Sequence, residues 1–302
     1  MSGAVWATVA GVGFGLFQSV NRQAVRGMDV WQSTFLQLSV SSVVLLAGTL
    51  ATEDPGALRS ASLAALGAFL AAGLVHFFVG WTLLNASQKR LGAARTSPLL
   101  AATPLFGTVL AAVTLGEVPG LVTVGGMLLI VAGVCATVGT GLPAAARAAP
   151  GAPGAAVRWR GSLLGLGTAA CWAVSPLLIR KGLESVPSPV LGVTVSMFGA
   201  TVPQGIVVAL RARRGLGEPV AWDSMSMKLT AGVLVGLSTW TRWEALALSP
   251  VAVVLALGLL SVPTVMLLAP ALAGRHEEQV TPRIWLGALL VVAGSLVLVL
   301  RG

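Results

Sequence analysis

The sequence predicts an all-α membrane protein in which ten transmembrane helices form two inverted five-helix repeats. Three observations carry this: an apolar composition, about ten apolar stretches of spanning length, and two halves that resemble each other. Of 302 residues, 56% are hydrophobic and 10% charged, and mean hydropathy is +0.89. A soluble domain carries about 25% charged residues, so this chain is expected to lie in the lipid bilayer. A net charge of +9 would suggest a nucleic-acid partner in a soluble protein. Here Arg and Lys fall mostly between apolar runs, the pattern of topology signals, and no nucleic-acid partner is expected.

Crossing about 30 Å of hydrocarbon takes about 20 apolar residues as helix, because every backbone N–H and C=O must be bonded internally. Such stretches lie near residues 3–20, 30–50, 62–84, 92–113, 119–140, 161–180, 188–210, 227–247, 249–270 and 281–300. The first has no basic residue before it, and Arg22 and Arg26 follow it, the reverse of a secretory leader. Gly116 to Val118 and Leu248 to Pro250 are links so short that the helices they join must be antiparallel neighbours. Residues 142–160, LPAAARAAPGAPGAAVRWR, are rich in Ala, Gly and Pro and read as a linker between a first repeat, 1–141, and a second, 161–302.

A shift of 159 residues lays Trp81 on Trp240, Asn85 on Glu244, Ala86 on Ala245 and Pro104 on Pro263. Arg22 meets Arg180 at 158, and Gly126 and Gly133 meet Gly287 and Gly294 at 161. With an odd number of spans in each half, the second half must thread the bilayer upside down, as in many secondary transporters. The odd-numbered loops carry Arg22, Arg26, Lys89, Arg90, Arg95, Arg147, Arg158, Arg160, Arg211, Arg213, Arg214, Lys228, Arg275 and Arg283. The even side has Arg59, Arg180, Lys181 and Arg301. By the positive-inside rule the odd loops face the cytoplasm and both termini face outward.

Several residues invite a functional reading beside a structural one. Pro104 and Pro263 fall mid-span at matching positions; each frees the carbonyl four residues earlier, of Leu100 and Leu259, so a hinge near a substrate site competes with proline's general frequency in membrane helices. Arg95 lies close enough to a helix end to snorkel to the headgroups, or else faces a cavity and attracts an anion. His76, between Gly73 and Gly80 on one helix face, is either a satisfied core histidine or a group handling substrate or protons. Trp81 with Asn85, and Trp240 with Glu244, are matching i,i+4 pairs that read as aromatic-belt residues or as the linings of two gates, and Glu244 is a candidate proton-coupling carboxylate. Arg242 stands two residues from Glu244, on another face. Cys135 and Cys171 read as buried thiols, and GVGFG (Gly11 to Gly15) and GSLLGLG (Gly161 to Gly167) as helix-packing glycines, since neither follows a strand or supplies a lysine.

The stretch Leu100 to Val134, LAATPLFGTVLAAVTLGEVPGLVTVGGMLLIVAGV, resembles the signature of the drug/metabolite transporter superfamily, EamA type. The resemblance rests on Pro104, on Leu115-Gly116-Glu117 and on Gly126 to Gly133, repeated more loosely by Pro263, GRHEEQ (Gly274 to Gln279), Gly287 and Gly294. Spacing from Gly287 picks Glu278 as the counterpart of Glu117; spacing from Pro263 picks His276. Glu117, at a turn, reads as structural, a carboxylate accepting N–H groups at the start of the next helix.

The resemblance implies a ten-helix carrier whose first four helices in each half surround a central cavity, with the fifth and tenth outside as scaffold. It implies a secondary active transporter, an exporter of a small metabolite or drug-like solute, in a prokaryotic plasma membrane, with no cofactor and with protons as a candidate coupling ion. A membrane-embedded enzyme acting on a lipid-linked substrate is the alternative from another class, but two histidines, no metal-ligand cluster and no nucleophile elbow leave it without catalytic residues to assign. A channel, a third reading, needs no inverted repeat with paired kinks. The orientation has a direct check: alkaline phosphatase fused after Gly302 is expected to be active and a green fluorescent protein fused there dark, the reverse pair of results placing the C-terminus in the cytoplasm.

Overall fold

The computed structural model describes residues 2–54, 56, 58, 61–115, 120–138, 155–217, 220–273, 278 and 280–301. All regular structure among them is helical: α1 (Gly3–Arg26), α2 (Val30–Thr52), α3 (Leu63–Ala72), a π-helical stretch (Gly73–Gly80), α4 (Trp81–Leu91), α5 (Ala93–Leu100), α6 (Thr103–Leu115), α7 (Leu121–Val138), α8 (Ala155–Leu183), α9 (Pro189–Arg213), α10 (Trp222–Leu248), α11 (Val251–Gly258), α12 (Ser261–Ala273) and α13 (Pro282–Arg301). Seven helical stretches are long and apolar enough to cross a membrane, and Leu121–Thr137 is a shorter apolar one. The remaining expected spans deviate for physical reasons. One is broken between α5 and α6, and α10 carries Asp223, Lys228, Arg242 and Glu244.

Local chemistry sets the helix ends. The Asp29 carboxylate caps α2 by accepting from the Trp31 and Gln32 amides, Ser62 caps α3 and Ser188 caps α9. Gly92, at φ +86°, makes the sharp turn from α4 into α5, a left-handed conformation open to glycine. Polarity is arranged inside out. Val43, Leu50, Leu128, Leu177, Val202 and Leu289 lie on the outer surface, whereas Gln18, Asn21, Gln37, Asn85, Gln88 and Lys228 are fully buried. An aqueous protein would do the opposite.

The helices pair across the halves. α1 packs against α10, α11 and α12, and α8 packs in the same way against α3 and α4, α5 and α6. α2 packs on α9 and α10; α9 packs on α2, α3 and the π-helical stretch; α7 packs on α13. Exchanging α1–α7 with α8–α13 leaves this set of partners unchanged. The α7–α13 contact is reciprocal: a Cβ on Gly133 would lie 2.6 Å from the Gly287 carbonyl oxygen and one on Gly287 2.8 Å from the Gly133 oxygen, with Gly126 and Gly294 facing each other likewise. Such small-residue contacts let antiparallel backbones close up. The glycines of α1 act in the same sense, Gly11 facing the Leu257 carbonyl, Gly13 Ser238 and Gly15 Thr264.

Four expectations change here. α8 begins at Ala155, inside the stretch read as linker, while residues 142–154 lie outside the described residues, as does Glu117. Neither cysteine is buried: Cys135 lies on an exposed face and Cys171 is half-buried. Lys228, counted among loop charges, is a helical residue with no exposure. Gly73 does not serve one face with His76 and Gly80, which both meet Trp172 of α8. Gly73 meets the Ser196 carbonyl of α9, and Gly80 meets the Trp172 indole of α8. A Cβ at Gly73 would stand 2.1 Å from that backbone oxygen, whereas one at Gly67 meets nothing within 4 Å. Gly73→Ala is therefore expected to destabilise the protein by about 1–3 kcal/mol and Gly67→Ala to be neutral or stabilising by up to about 1 kcal/mol, measured as thermal melting in detergent.

Candidate functional site: a cavity between the halves

Two adjoining cavities of about 40 and 50 Å³ lie between the halves and share Phe14, Trp172, Arg242 and Gly258 in their walls. Each is large enough for a few water molecules. The first is lined further by Ala7, Ala10, His76, Trp81, Thr239 and Trp243. The second is bordered by both broken spans, through Leu100, Ala101, Thr103 and Pro104 on one side and Leu259 and Ser261 on the other.

The breaks follow from the prolines. Pro104 and Pro263 each fall in the first turn of the second helical piece, α6 and α12, after a two-residue interruption at 101–102 and 259–260. The freed carbonyls do not stay open. Leu100 accepts the Thr103 hydroxyl at 2.6 Å, Ala101 accepts the Ser295 hydroxyl at 2.6 Å, and Leu259 accepts the Val262 amide at 3.0 Å. The expected kinks are thus full interruptions, and their polar groups are satisfied locally, as backbone at membrane depth requires.

The π-helical stretch aims His76 at the first cavity. Its ring stacks on Trp172, with centroids 5.0 Å apart and planes at 13°, and Nδ1 lies 2.7 Å from the Ser175 hydroxyl. The Trp172 indole N–H in turn donates to the His76 carbonyl at 3.3 Å. Trp81 is 1% exposed and sits edge-on to Phe77 at 4.9 Å; its indole N–H has no partner among the described residues. That burial removes Trp81 from the headgroup belt. Arg242 borders both cavities, and among the described residues its guanidinium makes no hydrogen bond or ion pair.

Below the cavity, toward the odd-numbered loops, four helices meet in a buried polar lattice. Lys228 of α10 donates to Asn21 of α1, to Gln37 of α2 at 2.8 Å and to Asn85 of α4 at 3.4 Å. Asn21 donates to Asn85 at 2.8 Å and Gln88 at 2.7 Å, and Asn85 donates to Thr34 at 2.9 Å. A buried ammonium incurs a desolvation penalty of several kcal/mol; here charge-assisted bonds to amide oxygens offset it, with no carboxylate among the described residues. Further out, Arg22 pairs with Glu278 at 2.9 Å and donates to the carbonyls of Gln88 and Lys89. Glu278 also accepts the amides of Ala93 and Ala94, two orphan donors at the start of α5.

Of the residues singled out from sequence, His76, Trp81 and Pro104 therefore meet at the cavity walls, and Pro263 follows the second break. Asn85 belongs to the lattice. Arg95 is partly buried in α5, with an unpartnered Nε among the described residues, and borders neither cavity. Trp240 and Glu244 also border neither: the Trp240 indole donates to Glu244 at 2.9 Å on the face of α10 that meets Gly48 of α2. Arg242, Lys228, Asn21 and Gln37 were missed. Their signal was an ionisable or amide side chain inside an apolar window, discounted because Lys228 and Arg242 lie near the ends of their span.

The EamA-like transporter family profile matches residues 1–139 and 159–300. No curated protein sequence matches the chain. A solved crystal structure aligns over 96% of this chain and 95% of its own, with 20% identity and a TM-score of 0.62, a likeness of fold. For the site itself, Glu278→Ala removes the Arg22 pair and the α5 cap together and is expected to lower stability by about 1–3 kcal/mol, with Glu278→Gln milder because its amide oxygen still accepts; melting curves in detergent read both.

Proposed function

The chain belongs to the EamA-like transporter family, and we propose that it is a secondary active carrier, an exporter of a small metabolite or drug-like solute, working by alternating access around the central cavity. In this reading ten spans form two inverted repeats, 1–141 and 161–302, joined by the 142–160 segment, in a prokaryotic plasma membrane. The observation that carries it is the exchange symmetry of helix partners around a cavity bordered by both broken spans. Discontinuous helices at the repeat interface are where carriers of inverted design place their substrate.

The two ends of the molecule differ, which supports a single closed gate. On the odd-loop side the Lys228 lattice and the Arg22–Glu278 pair bind helices of both halves. The cavity is walled by Ala7 and Ala10 early in α1 and by Thr239, Arg242 and Trp243 late in α10, toward the even-loop side. The protein is thus read as closed toward the cytoplasm. His76, Trp81 and Asn85 are the residues proposed to act along the path; Trp240 with Glu244 at the other end, and Arg95 beside the odd-loop gate, remain candidates for its rims. Glu244 or His76 would take part in any proton coupling, and an imposed pH gradient across vesicles tests that directly.

Cysteine accessibility tests the carrier. In a background lacking Cys135 and Cys171, an impermeant maleimide is expected to label Ala7→Cys slowly from the even-loop side, since Ala7 is 1% exposed and reacts only as that end opens, and to leave Gln18→Cys unlabelled. Adding Asn85→Ala, which removes the bonds of Asn85 to Asn21, Thr34 and Lys228 and so loosens the lattice, is expected to reverse both. Labelling of position 7 from both sides at once would establish a channel, and no change at either position would overturn alternating access.

A further inference from the structure

We propose that the central cavity binds a small organic anion with a flat apolar body, its negative group on Arg242 and its body against the indoles of Trp81 and Trp172. The proposal rests on the carrier reading and names the chemical class of its solute.

Arg242 carries five N–H donors in a fixed fork. It lies in the walls of both cavities, and among the described residues no acceptor or carboxylate meets it. A buried cation left without an acceptor is strongly unfavourable; Lys228 has its amide oxygens and Arg22 has Glu278, whereas Arg242 has neither among the described residues. A carboxylate, sulfonate or phosphate matches the guanidinium fork with two parallel bonds.

The surroundings have one sign. The one formally charged side chain in the described walls of both cavities is Arg242, and they hold no Asp or Glu. The acid nearest in sequence, Glu244, stands on another face of α10 with its carboxylate on the Trp240 indole. Lys228 of the same helix is held in the lattice below. At the second cavity the positive starts of α6 and α12, at Thr103 and Ser261, lie beside the negative ends of α5 and α11, at Leu100 and Gly258, so the backbone adds no net sign to that of Arg242. No carboxylate in the described walls would compensate an organic cation, and Arg242 would repel it.

The shape is set by rings. Phe14 meets Trp172 edge-on at 5.3 Å, and His76 covers one face of the same indole. Trp81 brings a second unpartnered donor, its indole N–H, into the wall of the first cavity. With room for only a few waters as these rings stand, a flat solute is taken up in a state in which they part and the waters leave, its polar end reaching Arg242.

Phenylacetate, phenylacetamide and 2-phenylethylamine share one shape and differ in charge. Titrated into the purified protein in detergent, with tryptophan fluorescence and thermal stabilisation as readouts, phenylacetate is expected to bind at the lowest concentration. Arg242→Gln is expected to weaken phenylacetate by ~10- to 100-fold and to leave the amide nearly unchanged, while Arg242→Lys keeps the preference for the anion. Should Arg242→Gln fail to fold, the order of the three probes on the unaltered protein decides. Equal or tighter binding of the amine, wild-type affinity for phenylacetate in Arg242→Gln, or binding of none of the three overturns the proposal. Reversal of labelling at positions 7 and 18 would stand in any of those cases, so loss of the anion site and loss of the carrier are separate results.

Discussion

Inside a bilayer no water is at hand to receive a polar group, so each donor and acceptor must be met by the protein itself. That constraint shapes most of what is seen. Hydroxyls along the helices turn back on their own backbone, Thr8 on Ala4, Ser19 on Gly15 and Thr137 on Gly133. The two broken spans close their carbonyls with Thr103, Ser295 and a backbone amide. Lys228 draws amide side chains from three other helices around itself. Against that accounting the guanidinium of Arg242 and the indole N–H of Trp81 stand out, because they face a cavity and have not been met.

The broad architecture could be read in the sequence because it depends on quantities that sum over many residues. Composition gave the solvent, windows of apolar residues gave the helices, and the 159-residue shift gave the correspondence of Pro104 with Pro263 that the helix breaks display. The site depends on single residues and on helices far apart in sequence. His76 and Trp81 could be singled out because an ionisable group and an indole in an apolar span are rare on any count. Lys228 could not: seven residues into α10, it looks like a loop charge until three other helices are seen to surround it. The π-helical turn was equally hidden, since GLVHFFVG has the composition of an ordinary apolar helix, and the turn is associated with close contacts to α8 and α9.

Glu278 shows how a motif can be located and its role still be open. Two spacings pointed to two residues as the counterpart of Glu117, and the expected task was to cap the helix that follows in sequence. Glu278 instead caps α5, whose first residue is 185 positions earlier, while tying down Arg22 of α1. Helix capping is local in geometry but not in sequence: any carboxylate brought to the N-terminus serves, and tertiary packing chooses which.

The choice of partners for Lys228 bears on how a gate can open. An ammonium buried with a carboxylate is hard to part, since breaking a buried pair leaves an uncompensated charge and costs about 3–5 kcal/mol. Amide oxygens hold it through bonds that water can replace with little change, each worth about 1.5–3 kcal/mol when made to a charged group. In the carrier proposed above, the helices joined through Lys228, Asn21, Gln37 and Asn85 would therefore be loosened as water reaches those bonds. A solute has to contribute only the difference between the two states to shift their populations. Arg242 stands fourteen residues further along the same helix, about 21 Å at 1.5 Å per residue and within about 40° of the same face. One helix thus presents a cation engaged by amides at one end and, among the described residues, a cation without an acceptor at the other, so in the carrier proposed above an anionic solute drawn to Arg242 would act on the element that carries the gate.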